Sequence, residues 1–130
     1  MIQQEALIKV KSKFNFDETV EQLQKAIKTA GLLLIHEINT QQILERHGIT
    51  IKGFKQLLYF HPNYMKQLLD THPESAIQAP LKFVVREEQD GGVEVLYIKP
   101  TDLFSAYIEL EEFGKMLEKI VVDISMSITL

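Results

Sequence analysis

Leu81–Lys99, LKFVVREEQDGGVEVLYIK, places two alternating apolar runs on either side of Gln89-Asp90-Gly91-Gly92. Leu81, Phe83 and Val85 share one face of the first run, and Val93–Lys99 forms its partner. Asp-Gly between such runs is a hairpin signal, because the tight turn requires positive φ. An antiparallel hairpin of this kind belongs to a sheet, and the segments before it supply neighbours. Residues 5–14 alternate, with Ala6, Ile8, Val10 and Phe14 on one side and Glu5, Lys9, Lys11 and Lys13 on the other, which predicts a strand with one wet face. Phe54, Leu58 and Phe60 alternate with Lys55, Leu57 and Tyr59 in a further strand that ends at His61-Pro62. Leu32–Ile38 is apolar on both alternating sets apart from His36 and Glu37, so it reads as an inner strand between two covered surfaces.

Helices fill the gaps. Asn15 with Glu18 has the form of a capping box, and Val20, Leu23, Ile27 and Ala30 then fall on one face before Gly31. Asn39 opens a short second helix that Gly48 closes. Pro62 starts a third, because its missing N–H would be unpaired there anyway. Met65, Leu68 and Leu69 supply its buried side, and His72-Pro73 ends it. From 101 to 130 the spacing of Leu103, Tyr107, Leu110, Gly114, Leu117, Val121, Ile124 and Ile128 predicts one long helix with an apolar seam. Phe113, Met116 and Ile120 widen that seam beyond what one sheet face needs, which points to a homodimer joined through Leu103, Tyr107, Leu110, Leu117, Val121 and Ile124. The alternative is a thick monomer core around the helix.

The whole is an α+β chain: a two-layer sandwich of antiparallel sheet and helices, in a single domain over 1–130. No repeat or linker divides its 130 residues, enough for one hydrophobic core without staples. Zero Cys excludes thiolate nucleophiles, redox pairs and Cys-type zinc sites. The start contains Glu5 and Lys9 and no apolar block, and no segment has the length of a membrane span, so a cytoplasmic protein that crosses no membrane is expected. A net charge of −4, mixed along the chain, gives no basic footprint for nucleic acid.

Catalytic motifs are missing: the serines lie in no nucleophile elbow, and Gly91-Gly92 has no phosphate-cradle context. His36, His47, His61 and His72 match no short metal motif, yet His36 and His61 would meet if their strands were neighbours, with Glu37 or Glu45 adding a carboxylate. That pair is the candidate for a divalent metal or acid–base site. Its alternative is a hydrogen-bonded core His36 and a helix-entry His61. Arg46 and Arg86 lie beside Glu45 and Glu87 and read as surface ion pairs. The loop from His72 to Pro80, stiffened at both ends by Pro73 and Pro80, either lines a pocket or buries Ile77. The four tyrosines read as packing residues.

Phe16-Asp17-Glu18-Thr19-Val20, Gly31, Tyr59-Phe60-His61-Pro62, Asp70-Thr71-His72-Pro73-Glu74 and Ala79-Pro80-Leu81-Lys82-Phe83-Val84-Val85 together resemble the Domain of Unknown Function 302 family, small bacterial and archaeal proteins. The resemblance covers about residues 5–100. It implies a compact α+β sandwich of TATA-binding-protein-like topology that associates as a homodimer, and it implies no established activity. Many members carry Cys at the position of Leu81 and Asn at that of His61; this chain departs at both, so thiol chemistry could not operate here. A fold shared with a DNA-binding protein is no evidence for DNA binding. The expected function is a noncatalytic homodimeric module that binds a small ligand or a partner protein near His36, His61, Pro62, Pro73 and Pro80. The alternative is a small metalloprotein or enzyme using His36 and His61.

Overall fold

The computed structural model describes residues 6–129; Glu5, assigned above to the first strand, lies outside them. Five antiparallel strands form one sheet in the order β1-β5-β4-β3-β2. They are β1 (Leu7–Lys11), β2 (Leu33–Asn39), β3 (Phe54–Phe60), β4 (Leu81–Glu87) and β5 (Val93–Ile98). The hairpin β4–β5 pairs Val85 with Val95 and turns at Gly91, whose φ of 89° is the left-handed geometry that glycine adopts without a Cβ clash. Leu57, Tyr59, Phe83, Val85, Val95 and Tyr97 point to one face and are buried there. On the opposite face Leu58, Val84 and Leu96 are half-buried beside exposed Lys82.

Helices α1 (Phe16–Thr29) and α5 (Glu111–Met126) belong to the layer on the apolar face. Asn15 caps α1 as its spacing requires, its Oδ1 accepting from the Glu18 N–H at 2.9 Å, and Val20, Leu23 and Ile27 are buried below. The short α2 (Thr40–Glu45) begins at Asn39, and α3 (Pro62–Thr71) begins at Pro62.

Two expectations change. The stretch 101–130 is not one helix: α4 (Pro100–Leu103) is followed by a 3₁₀ turn at Ile108–Leu110 and then by α5. The seam turns inward, leaving Leu110, Leu117, Val121, Ile124 and Ile128 almost without exposure in the single chain. Its extra width is used within the monomer, where Phe113 meets Phe104 and Tyr64 edge-on at 5.5 and 5.8 Å. Four of the six side chains assigned to a dimer contact, Leu110, Leu117, Val121 and Ile124, are therefore core of the single chain.

The second change concerns β2, which is an edge strand and not an inner one. Leu33 and Ile35 are 50% and 54% exposed. The pairing with β3 steps from Leu34–Tyr59 to His36–Leu58, so Ile35 is a bulged residue with no opposite number. An apolar run is compatible with either place in a sheet, and periodicity does not distinguish them.

Candidate functional site

At the sheet end where β3 finishes and β4 begins, a cavity of about 370 Å³ opens between the strands, α4, α5 and the segment before β4. This is near the lower limit for small-molecule pockets, roughly 300 Å³. Tyr59 and Leu81, paired across the strands, line its inner side, and Leu103 and Val121 come from the helices. Ile77, Gln78 and Pro80 form a further wall, with Lys82 among the lining residues.

Tyr59 is the unusual member. Its ring is stacked on Phe83 at 4.8 Å, and the residue is 1% exposed. None of the side-chain hydrogen bonds among the described residues involves its hydroxyl, yet the buried side-chain atom left without a partner is Thr40 Oγ1 and not this oxygen. Burial pushes the phenol well above its ordinary range, and the neighbouring Tyr97 phenol adds to the shift. The hydroxyl stays protonated at physiological pH and is available as a donor.

The wall before β4 is helical, where a nonhelical loop was expected. Pro73–Gln78 forms a 3₁₀ segment, held by Ser75, whose N–H and Oγ both donate to the His72 carbonyl at 2.9 and 2.6 Å. Ser75 is buried and Ile77 turns outward with 82% of its surface exposed, so of the two alternatives for this loop the one that buries Ile77 in the core does not hold. His72 ties this segment to the rest of the layer. Its ring lies 5.1 Å from that of Tyr107, and its two nitrogens are each 3.3 Å from a carboxylate oxygen, of Glu74 and of Glu109. A neutral imidazole has one N–H and serves one of them; an imidazolium serves both.

Of the five residues singled out in the sequence, Pro80 alone lines the cavity. Pro62 and Pro73 start helical segments. His61 caps α3, its Nδ1 accepting from the Asn63 N–H at 3.0 Å. His36 lies on the edge strand opposite Leu58, three residues short of His61, which separates the two by about 10 Å at the usual strand rise. The two histidines do not converge. Glu37 is engaged by Gln24 and Lys55, and among the described residues no three His, Asp or Glu side chains are grouped to hold a metal. Arg86 bonds Glu94 at 2.9 Å and not its neighbour Glu87, since adjacent strand residues face opposite ways.

Sequence reasoning passed over Tyr59, Gln78 and Lys82. The alternation sets Tyr59 with Lys55 and Leu57 against Phe54, Leu58 and Phe60, and only the tertiary fold shows that Leu57 and Tyr59 face the core.

The family profile of domain of unknown function DUF302 matches residues 8–127, nearly the whole chain and through α5. The chain belongs to the DUF302 family. It is similar in structure to the uncharacterized conserved protein DUF302 from Bacillus stearothermophilus, with a TM-score of 0.87 at 21% identity, covering 95% of this chain and 98% of that one. At that identity the likeness shows the α+β fold alone. No curated protein matches the chain. The DUF302 match thus extends past residue 100 to the C-terminal helices, whose side chains Leu103 and Val121 contribute to the cavity. Among the described residues no helix is long and apolar enough to cross a membrane.

Proposed function

We propose that this DUF302 protein is a noncatalytic homodimeric module that captures a small molecule in the cavity at the sheet end. The observation that carries the reading is the cavity of about 370 Å³ itself, with Tyr59 among its lining residues and the rest of its wall largely apolar. The lining supplies no Ser, His, Asp or Glu, and so no hydroxyl nucleophile activated by an imidazole or carboxylate base. This favours binding over turnover.

Native mass spectrometry of gently purified protein tests the binding. Retained mass is expected on the wild type and is lost in Leu103→Trp, which fills the space, with an unchanged circular dichroism spectrum. A wild-type chain that retains nothing, and in which a small-fragment screen moves no resonance of residues 77–82, refutes it.

The dimer reading is supported by the β2 edge. Among the described residues no strand pairs with its outer edge, and exposed edges are commonly blunted by charge or by a bulge. Here the bulged side chain is Ile35, next to exposed Leu33 and Leu34. Antiparallel pairing of two β2 edges about a two-fold axis would continue the sheet and cover them. Light scattering after gel filtration is expected to give a dimer for the wild type and a folded monomer for Ile35→Lys; a wild-type monomer ends the dimer reading.

A further inference from the structure

The face of the sheet away from the core carries a second apolar surface. Strand pairing aligns one row across all five strands, Lys9–Leu96–Val84–Gln56–Ile38, and side chains directly opposite one another in a sheet share a face. Leu58, opposite both Lys82 and His36, lies on the same side. Leu96, Val84, Ile38 and Leu58 are half-buried, and none of them is among the partly buried side chains packed on the core, as Ile8 and Val10 of β1 are. An apolar sheet face is stable when a second layer covers it. The rim of this one is cationic. Lys9 and Lys82 are exposed and in no ion pair among the described residues, whereas Lys11 is held by Glu88. In the neighbouring row the carboxylate of Glu94 is taken by Arg86 at 2.9 Å. Two uncompensated cations thus flank an apolar row on a chain whose net charge is −4.

We infer that this face docks an acidic amphipathic helix of a protein partner, its apolar stripe on Leu96, Val84 and Leu58 and its carboxylates beside Lys9 and Lys82. The inference depends on neither the cavity nor the β2 edge. A sheet face, unlike an edge, offers no backbone groups for pairing, so an occupant must satisfy its own, as a helix does. Helix α1, of 14 residues, shows the length that this sheet accommodates on its other side. A second copy would bring its own Lys9 and Lys82 into the contact, which adds like charge where opposite charge is wanted. A single-stranded nucleic acid stacks on aromatic side chains, and the row has none.

The probe is a synthetic amphipathic helix of about fourteen residues, with leucine on one face and glutamate on the other, beside a counterpart with lysine for glutamate. Each is titrated into the full chain at low salt and followed by calorimetry and amide resonances. The glutamate peptide is expected to shift residues 9, 56, 58, 82, 84 and 96 and to bind more tightly than the lysine peptide. It is expected to bind about tenfold more weakly to the double variant Lys9→Gln, Lys82→Gln, whose two positions are exposed and leave the fold intact. Equal binding of the two peptides, or no effect of the double substitution, overturns the acidic partner. Absence of shifts on this face, or shifts confined to residues 77–81, 103 and 121, overturns the docking site and leaves the cavity reading standing. Concentration-dependent shifts of the same residues without peptide assign the face to a second copy. Tighter binding there of phosphatidylglycerol vesicles or of oligo(dT) assigns it to a membrane or to single-stranded nucleic acid, and each of these results replaces the helix.

Discussion

Tyr59 makes a residue-scale test that does not depend on any ligand. Because burial raises its phenol, the folded chain keeps a proton that the unfolded chain loses above about pH 10. Stability therefore falls as pH rises through that range, by up to about 1.4 kcal/mol per pH unit for one such group. Tyr97 is raised by its own burial and contributes in the same direction. Tyr59→Phe is expected to flatten the alkaline decline in urea midpoint without abolishing it, the remainder belonging to Tyr97. At neutral pH the same substitution is expected to be nearly neutral, since no side-chain hydrogen bond among the described residues involves this hydroxyl and the ring that stacks on Phe83 is kept. A clear loss at neutral pH would show that the hydroxyl is bonded after all.

Among the elements, α1 and α5 show how legible local rules were. Asn15 was readable as a cap because the rule needs only three residues, and the structure has the expected bond to Glu18. Asn15→Ala is expected to lower stability by about 1 kcal/mol in denaturant unfolding. The break between α4 and α5 was not readable from the seam, because the four-and-three spacing continues across residues 104–110 while the backbone does not. Gly114 marks the place where the broken halves fold onto each other: a Cβ there would lie 3.3 Å from the Thr101 Cα and 3.4 Å from the Pro100 carbonyl oxygen. Alanine normally gains about 1 kcal/mol over glycine in a helix. Gly114→Ala is expected to destabilise instead, by up to about 2 kcal/mol, because overpacking against backbone costs more than the propensity returns. A stabilised variant would mean that α4 yields.

The whole molecule decides which apolar surfaces are core. Leu117 is fully buried beneath the sheet, so Leu117→Ala is expected to cost about 2–5 kcal/mol by thermal or urea unfolding and to leave the subunit count unchanged, whereas Ile35→Lys is expected to do the reverse. The sequence sufficed for the α+β class, the β4–β5 hairpin, the caps of α1 and α2, and the inward face of most elements, because alternation, helical spacing and turn chemistry are properties of a few adjacent residues. The histidine pair, the edge position of β2 and the direction of the C-terminal seam were decided by tertiary structure. Each depends on which strand lies beside which and where the chain doubles back, and strand order leaves no mark on the period of a single strand. The candidate site is of this second kind. Residues 59, 77, 78, 80–82, 103 and 121 have no common motif, and the space they line exists only where β3, β4, α4 and α5 end up around it.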